Sequence, residues 1–384
     1  MTSNGNGYRG LVVLGVFFLT AFWLHAEQKA KVIVGYWGSI DEQAVINQGG
    51  SVTQRLDGIH AVAAEVPSNK IKNLRANTNI KYVEPDAEAT TLETSRGRAS
   101  GSPSAQAQVA QWTPWGIIRV AANQSWPTTT GIGRKVAIVD TGIYYSHPDL
   151  AGNVNVGPSY IRGTKSSNDD NGHGTHVSGT VAAVNNPIGV IGAAYNAKLW
   201  GVKVLDRSGS GSYSSVISGI NWASFSGMNL INMSLGGTFD SQALHDACDA
   251  AVNKGVFIAA AAGNSGDTTP NYPGAYPSVV CVSATDSSNV LAYFSTRGPQ
   301  VDLAAPGVAI TSTVPPDGYA TWSGTSMATP HVTGCAALVW AANPTLSNAE
   351  IRNRLQSKAY DLGAPGVDDN YGYGLVNAYR ALTP

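Results

Sequence analysis

The stretch KVAIVD at residues 135–140 sets four apolar residues in a row directly before an acid. Runs of this kind are typical of strands that are buried on both faces of a parallel sheet. Comparable runs recur at residues 198–205, 230–234, 256–260 and 279–282, and helical candidates lie between them at 176–183, 214–224 and 242–253. The alternation predicts an α/β domain layered around a mainly parallel central sheet. In such sheets, functional side chains gather at the carboxyl ends of the strands.

The composition is that of a folded protein with few charges. Charged residues make up 13% of the 384 residues, against about 25% in an average globular protein, while 43% are hydrophobic. The formal net charge is -1 and no basic stripe is visible, so we expect no nucleic-acid partner. The length allows one main core and a small additional domain.

The first 26 residues have the pattern of a secretion signal. Arg9 is the charged residue of the leading segment, residues 11–24 are apolar, and Ala26 offers a cleavage point. An uncleaved anchor is the alternative, but the apolar run is short for a bilayer span and no later run is long enough. We therefore expect a secreted, extracellular protein with no membrane association once residues 1–26 are removed.

Residues 27–92 have a different sequence pattern from the rest of the chain. Strand candidates at 31–36, 58–66 and 82–86 alternate with helix candidates at 41–48 and 68–76, which predicts a small α+β domain. A low-complexity stretch of Ser, Gly, Ala, Gln and Arg follows, with too little apolar material to fold. We interpret residues 93–110 as a linker and residues 111–384 as the main domain.

The three cysteines are Cys248, Cys281 and Cys335, and none forms a C-x-x-C pair, so a zinc site is not expected. Each lies in an apolar or Ala-rich run, which favours buried free thiols. A Cys248–Cys281 disulfide is the alternative.

Two polar residues are candidates for catalysis in the first half of the main domain. Asp140 follows the apolar run directly, and burying an acid there is costly unless it has a partner. It is therefore either a turn or cap residue or an acid that orients a histidine. His173 lies in DDNGHGTHVSGT at 169–180, where flanking glycines allow close backbone approach. A His173/His176 metal pair is an alternative, but the Glu of H-E-x-x-H is missing.

Ser326 lies in GTSMATPHV at 324–332, which leads into an apolar, Ala-rich helix candidate. Near a helix N-terminus, free N–H groups and the helix dipole favour negative charge. This stretch alone leaves open whether Ser326 caps the helix or acts as an acyl-transfer nucleophile. Asn264, in AAGNSG at 261–266, is by itself a turn residue, and beside such a site its amide could donate to an oxyanion.

Together these stretches closely resemble the subtilisin family of serine proteases. The motifs are DTG at 140–142, HGTH at 173–176 and GTSMATP at 324–330, in the order Asp, His, Ser. The resemblance runs from about Gln111 to the C-terminus and implies a three-layer subtilisin-like fold. Residues 27–92 resemble the propeptide of that family, which implies a folding chaperone and intramolecular inhibitor. We thus expect a monomeric serine endopeptidase that acts on proteins and processes its own precursor.

The resemblance also implies roles for the candidate residues. Ser326 would attack the scissile carbonyl, His173 would carry the proton, and Asp140 would orient the imidazole. Asn264 and the Ser326 N–H would bind the oxyanion. Two extended segments would bind the substrate as an added strand, with broad, apolar or aromatic-leaning specificity. These segments are Gly209, Ser210, Gly211 and Ser234, Leu235, Gly236. Without the resemblance they would be plain loops, and no Gly-Lys-Ser/Thr follows to make a phosphate loop.

A calcium site is implied by the same resemblance. Its oxygen ligands would come from six residues, with one carboxylate among them, which suits Ca²⁺. The six are Gln111, Asp149, Val184, Asn186, Ile188 and Val190. From the residues alone, Asn185-Asn186-Pro187 is a turn. A second, weaker cation site near Gly274, Tyr276 and Asp302 is also implied, although Gln300 stands where an acid often helps.

One departure from the family concerns the cleavage point. The propeptide's end resembles residues 89–92, yet residues 93–109 intervene before the position where the mature start would fall. Cleavage is therefore expected after Leu92, between Val109 and Ala110, or at both. Two rival functions remain: an esterase of the α/β-hydrolase type, which needs Gly-x-Ser-x-Gly and a different residue order, and a secreted protein that kept the fold without the activity.

Overall fold

The computed structural model describes residues 1–2, 28–96 and 110–383. The proposed signal segment lies almost wholly outside these ranges, as does most of the linker. No helix within the described ranges is long and apolar enough to cross a membrane.

Residues 29–85 form a four-stranded antiparallel sheet with two short helices. The strands are β1 Lys29–Tyr36, β2 Ser51–Leu56, β3 Ala61–Pro67 and β4 Ile80–Pro85, and the helices are α1 Glu42–Ile46 and α2 Ile71–Arg75. The strand order is β2-β3-β1-β4. Three strands and two helices match the sequence prediction, but β2 was missed. Its sequence, SVTQRL, is mostly polar, because the strand lies at the sheet edge with most side chains partly exposed.

Two short strands follow this sheet and pair with the rest of the chain. They are β5 Glu88–Thr91 and β6 Ser95–Arg96. The first four residues of the expected linker are therefore ordered, and at its other end Ala110 forms a bridge with Ile188. Main-chain pairing with an exposed strand edge needs no apolar side chains, so low apolar content did not prevent it.

A seven-stranded sheet lies at the centre of the main domain. Its strands are β7 Lys135–Asp140, β8 Val154–Ser159, β9 Lys198–Lys203, β11 Leu230–Met233, β13 Phe257–Ala261, β14 Val280–Thr285 and β15 Leu303–Pro306. The order is β15-β14-β13-β11-β7-β9-β8, and all six pairings are parallel. The predicted fold class is confirmed. The short edge strands β8 and β15 were missed.

The remaining elements lie around this sheet. The short strands are β10 Ser210–Ser212, β12 Leu235–Gly236, β16 Ile310–Val314 and β17 Gly318–Ser323. The helices are α3 Trp115–Arg119, α4 Ala122–Ser125, α5 His173–Ala182, α6 Tyr213–Phe225, α7 Gln242–Asn253, α8 Thr325–Ala342, α9 Asn348–Ser357 and α10 Ala378–Leu382.

The alternation along β7 explains the three layers. Val136 and Ile138 belong to the core that includes residues of α5 and α8, whereas Ala137 and Val139 belong to the core that includes residues of α6 and α7. Successive side chains of a strand point to opposite faces, so a continuous apolar run needs cover on both faces. Ile33 of β1 belongs to the second core, so the small antiparallel sheet packs onto the outer face of α6 and α7.

All three cysteines are buried and free, as the sequence predicted. Burial raises the pKa of each thiol, which makes these side chains inert packing groups.

Candidate active site

The carboxyl end of β7 carries Asp140, and the first residue of α5 is His173. Both side chains are fully buried, and Asp140 Oδ1 lies 2.8 Å from His173 Nδ1. The Thr141 N–H also donates to Asp140 Oδ1, at 2.7 Å. Gly172 begins the helix with a φ of 102°, which a glycine adopts without strain. The carboxylate thus fixes one ring nitrogen of His173 and leaves Nε2 to face the cleft.

Asp169 shapes the turn before His173 and was not singled out from the sequence. Its carboxylate accepts hydrogen bonds from Thr141 Oγ1 at 2.9 Å, from the Gly172 N–H at 2.9 Å and from Thr175 Oγ1 at 2.6 Å. These bonds join the end of β7 to the start of α5. The available signal was an acid four residues before the histidine, in a stretch rich in glycine and small polar residues.

His173 and His176 lie one turn apart on α5, and their surroundings shift their pKa values in opposite directions. Burial lowers the pKa of His173, but the carboxylates of Asp140 and Glu93 outweigh it and raise the pKa. Burial lowers the pKa of His176 to about 3. The Nε2 of His176 lies 3.1 Å from the carbonyl oxygens of both Ile310 and Ala320. This ring is therefore held inside the fold, and the geometry does not support a His173/His176 metal pair.

Ser326 is the second residue of α8 and does not cap it. The cap is Gly324, which has no side chain, and the Thr325 N–H there is bonded by the Asn264 side chain instead. Pro330 inside the helix has no N–H for the Ser326 carbonyl, and Ser234 Oγ donates to that oxygen instead, at 2.8 Å. The Ser326 hydroxyl donates to the Ser234 carbonyl oxygen, also at 2.8 Å.

Of the hydrogen bonds expected between Asp140, His173 and Ser326, only the one between Asp140 and His173 is formed. His173 Nε2 has no hydrogen-bond partner among the described residues, because the Ser326 hydroxyl is turned to Ser234. A segment of the chain itself also occupies the site. The Leu92 N–H donates to Ser326 Oγ at 3.0 Å, which uses the hydroxyl as an acceptor.

The peptide bond between Leu92 and Glu93 crosses this site. The Ser326 N–H donates to the Leu92 carbonyl oxygen at 3.1 Å, and on the other side the Thr94 N–H donates to the Ser323 carbonyl oxygen at 2.8 Å. A Cβ atom on Gly324 would lie 2.4 Å from the Leu92 oxygen. Only glycine at that position therefore lets the carbonyl approach Ser326.

Asn264 stands beside the same helix start. Its Oδ1 accepts hydrogen bonds from the N–H and the hydroxyl of Thr325, at 3.0 and 2.9 Å. Its Nδ2 is buried and has no hydrogen-bond partner within residues 28–96 and 110–383. Unpaired buried donors are rare in folded proteins, and this one belongs to an amide bonded to Thr325, the residue before Ser326. Thr325, the residue that orients it, was not singled out from the sequence.

Strand β5 lies between the two predicted substrate segments. It pairs antiparallel with β10, where Ser210 and Gly211 oppose Thr90 and Ala89. On its other edge it pairs antiparallel with β12, where Leu235 and Gly236 oppose Thr91 and Thr90. Gly209 accepts a hydrogen bond from the Thr91 N–H at 3.0 Å, and Ser234 contacts Ser326 as described. All six segment residues therefore surround the chain that leads to Leu92.

Three of the predicted calcium ligands converge on the side-chain amide of a fourth, Gln111. Gln111 Nε2 lies 2.8 Å from the Val184 carbonyl oxygen, 3.3 Å from that of Val190 and 3.5 Å from Asn186 Oδ1. Rotating the Gln111 amide by half a turn would replace its nitrogen by a fourth oxygen, since the two ends have the same shape. Ile188 lies in the same loop, where its N–H donates to Asn186 Oδ1 at 2.9 Å.

Asp149 bonds to two residues of the same loop. Its carboxylate accepts from Asn186 Nδ2 at 3.0 Å and from the Val190 N–H at 2.8 Å. Burial raises its pKa to about 7, because charge on this carboxylate is poorly compensated. Several carbonyl and amide oxygens around one buried acid suit a hard cation such as Ca²⁺. A site made of carbonyls and amides also fits the finding that the described ranges hold no group of three or more His, Cys, Asp or Glu able to bind a metal.

The second, weaker cation site is not supported by the geometry. Asp302 Oδ1 already accepts from Arg352 at 2.8 Å and from Gln356 at 2.7 Å, and Arg352 also donates to the Pro277 carbonyl oxygen. The guanidinium group supplies the positive charge beside Asp302 that a metal ion would bring.

A strand-bound peptide that crosses a serine, beside a buried imidazole held by a carboxylate, is the arrangement of serine endopeptidases. The family model described as "Subtilase family" matches residues 131–374. The chain therefore belongs to the subtilase family and is a serine endopeptidase of the subtilisin type.

Known relatives agree with this assignment. The chain is 44% identical over 346 residues to an alkaline protease of Alkalihalobacillus alcalophilus, covering 89% of this chain and 85% of that protein. It is 41% identical over 394 residues to subtilisin E of Bacillus subtilis, covering 97% of both. Among solved structures, it is similar to fervidolysin of Fervidobacterium pennivorans, described as a keratinolytic enzyme related to subtilisin. The TM-score is 0.81 at 30% identity, over 93% of this chain and 61% of that one.

Proposed function

We propose that this chain is the precursor of a secreted serine endopeptidase and that its first substrate is its own Leu92–Glu93 bond. The observation that carries the proposal is the Ser326 N–H donating to the Leu92 carbonyl oxygen at 3.1 Å. That carbonyl is where a tetrahedral oxyanion would form, and the start of a helix is a suitable place for it. Asn264 Nδ2, which has no partner among the described residues of the uncut chain, would supply the second donor as the oxyanion forms.

The reaction follows from the side chains around this bond. Ser326 Oγ leaves the Ser234 carbonyl, gives its proton to His173 Nε2 and bonds to the Leu92 carbon. His173 then passes the proton to the Glu93 nitrogen as the Leu92–Glu93 bond breaks. Water then gives one proton to His173 and adds to the acyl carbon; His173 returns that proton to Ser326 Oγ as the ester bond breaks and the Leu92 carboxylate is released. Asp140 holds the imidazole in the required tautomer throughout.

The domain of residues 27–92 acts afterwards as an inhibitor in this proposal. Glu84 accepts hydrogen bonds from Ser241 Oγ and from two N–H groups in the first turn of α7. Asp86 accepts from the N–H and the hydroxyl of Ser214 at the start of α6. Acids at helix N-termini are favoured by the free N–H groups and the helix dipole. These contacts, together with β5, would keep the product bound after cleavage.

Specificity for apolar and aromatic residues is proposed from the same segment. Leu92 is the residue before the bond, and the two flanking segments bind main-chain atoms, which accept most sequences. Protein substrates would add as a strand in place of β5. We further propose that the enzyme acts outside the cell, because residues 11–24 form an apolar leader. We also propose that it acts as a monomer.

Calcium is the proposed structural ion of the Gln111–Asp149 loop. Gln111, Asp149, Val184, Asn186, Ile188 and Val190 would hold it. The ion would join the start of the main domain to the loop after α5, and so stabilise the folded state without taking part in the reaction.

Ser326→Ala tests the self-processing. We expect the secreted variant to retain the Leu92–Glu93 bond, because the oxyanion pocket is kept and the nucleophile is lost. Intact mass and N-terminal sequencing measure this, and Ser226→Ala, at an exposed position, is the matched control. A variant that is still cut after Leu92 would remove Ser326 from the role of nucleophile.

Chelation tests the calcium site. We expect EDTA to lower the melting temperature of the processed enzyme, because an ion at 100 times its Kd stabilises a fold by about 2.7 kcal/mol. Asp149→Asn should have a lower melting temperature in calcium and respond little to EDTA. Equal melting temperatures of the wild-type enzyme with calcium and with EDTA would contradict the proposal.

A further inference from the structure

Glu93, the first residue after the bond in the active site, directs its carboxylate at the catalytic histidine. Its Oε2 lies 3.4 Å from His173 Nε2 and is buried, while its Oε1 accepts a hydrogen bond from Arg96 Nε at 2.6 Å. The side chain is 11% exposed, so solvent screens this charge weakly. Neither Glu93 nor Arg96 was assigned a role from the sequence.

The nitrogen that faces Glu93 is the one that must accept the proton of Ser326. A neutral Nε2 is needed for that step, whereas an ion pair with Glu93 favours the protonated ring. Burial lowers the pKa of His173, but Asp140 on one side and Glu93 on the other raise it above its usual value. Burial raises the pKa of Glu93, but the charges of His173 and Arg96 outweigh burial and lower it. Glu93 therefore stays ionised. The two groups stabilise each other's charged, unreactive forms.

Of the other groups around His173, only Arg96 carries a charge that affects this balance. His176 is the next ring along α5 and remains neutral, since burial lowers its pKa to about 3. Trp322 of β17 stacks near His173 with ring centroids 6.4 Å apart and carries no charge. Arg96 acts in the opposite direction to Glu93, because its positive charge lowers the pKa of His173.

We propose that Glu93 is a positioning residue for the first self-cleavage, which holds His173 in its charged form and so delays the reaction until the pH rises. The inference rests on the proposed self-cleavage at Leu92–Glu93. The imidazole must be neutral to act as the base, so the rate rises with pH through the raised pKa of His173. Removing the Glu93 charge moves that rise to lower pH, and removing the Arg96 charge moves it to higher pH.

The experiment is a pH profile of the intramolecular reaction. Full-length precursor is denatured, refolded into buffers of different pH, and sampled for the fragment that ends at Leu92. A rate constant independent of protein concentration marks the intramolecular step. Four proteins are compared: wild type, Glu93→Gln, Arg96→Gln and Glu88→Gln. Glu88 is a matched control because it is an exposed glutamate on the same segment, in strand β5.

We expect the midpoint of the Glu93→Gln profile to fall by about one pH unit, because an opposite charge at this distance shifts a pKa by about one to three units. Cleavage below the wild-type midpoint is then about tenfold faster. Arg96→Gln should shift the midpoint upward, Glu88→Gln should leave it unchanged, and Glu93→Asp should restore most of the wild-type profile.

A Glu93→Gln midpoint equal to that of the wild type would overturn the inference, while cleavage itself would still support self-processing. A wild-type precursor that is not cut at any pH would instead overturn the proposed self-processing. Refolding defects are separated by NMR titration of His173 in folded Ser326→Ala precursor. There, Glu93→Gln should lower the pKa of His173, and an unchanged pKa would also overturn the inference.

Discussion

Residues 88–91, before the Leu92–Glu93 bond, lie between two strands of the main domain, whereas residues 95–96, after it, pair with one strand. The first segment buries Ala89 completely and continues from a folded domain whose acids contact two helix starts. The second segment is short, exposed and charged. If the bond is cut as proposed, we therefore expect the N-terminal product to stay in place and the C-terminal side to leave.

The same comparison explains why a charge suits the departing side. Glu93 and Arg96 bond to each other and contact His173 and Trp322. We expect all of these contacts to end once the proposed cut lets the new N-terminus move away. The β5 contacts are mainly main-chain hydrogen bonds, which remain after the cut. An effect carried by Glu93 is therefore specific to the uncut chain.

The largest expected effect is on the rate at which the Leu92–Glu93 bond is cut. Asn264→Ala removes one of the two proposed oxyanion donors, so kcat for self-cleavage and for an external peptide should fall by about 10²–10³, with KM little changed. Steady-state and single-turnover kinetics measure it, and Asn253→Ala, on an exposed helix end, is the control. A loss confined to KM would mean that Asn264 binds substrate without stabilising the oxyanion.

The next effect tests whether the N-terminal side is retained. Glu84→Gln with Asp86→Asn removes two acids from the starts of α7 and α6. Hydrogen bonds to charged groups contribute about 1.5–3 kcal/mol each, so we expect inhibition to weaken at least tenfold. The measurement is peptide hydrolysis by the freshly processed complex, titrated with added N-terminal domain. Unchanged inhibition relative to Glu88→Gln would show that β5 alone holds the product.

The smallest expected effects come from placing a proline on either side of the Leu92–Glu93 bond. Thr90→Pro removes an N–H from the middle strand of three, and it should slow self-cleavage about tenfold and weaken the later inhibition. Thr94→Pro removes the N–H that bonds to the Ser323 carbonyl oxygen, a loss of about 1 kcal/mol, and should slow cleavage only a few-fold. Inhibition after cleavage should be unaffected by the second change. If both variants lose inhibition equally, the two sides are held alike and the comparison is wrong.

Some features of the site were readable because their signals are local. Asp140 follows a continuous apolar run, and a parallel sheet brings such strand ends together. Ser326 precedes an apolar helix, and the resemblance to the subtilisin family linked both to His173. Glu93 and Asp169 were missed, although each stood beside a residue of interest. Nothing in a linear stretch says that Glu93 Oε2 lies against His173 Nε2, because their distance depends on how β6 pairs with β17.

The second cation site is a case in which the sequence suggested a site that the structure does not support. Asp302 suggested a ligand, yet Arg352, from helix α9, reaches it and supplies the charge. Similarly, β2 was missed because its mostly polar pattern reflects an edge strand, a position that only the assembled sheet defines.

The sequence by itself determined five of the seven strands of the central sheet, the helices between them and the residue types of the catalytic group, because hydrophobic periodicity and short motifs act over a few residues. Only the tertiary structure decided that the Ser326 hydroxyl turns to Ser234, that the Leu92–Glu93 bond crosses the site and that Glu93 faces the histidine. These depend on hydrogen bonds and charges between residues far apart in the chain, whose strength varies with distances that a linear sequence does not contain.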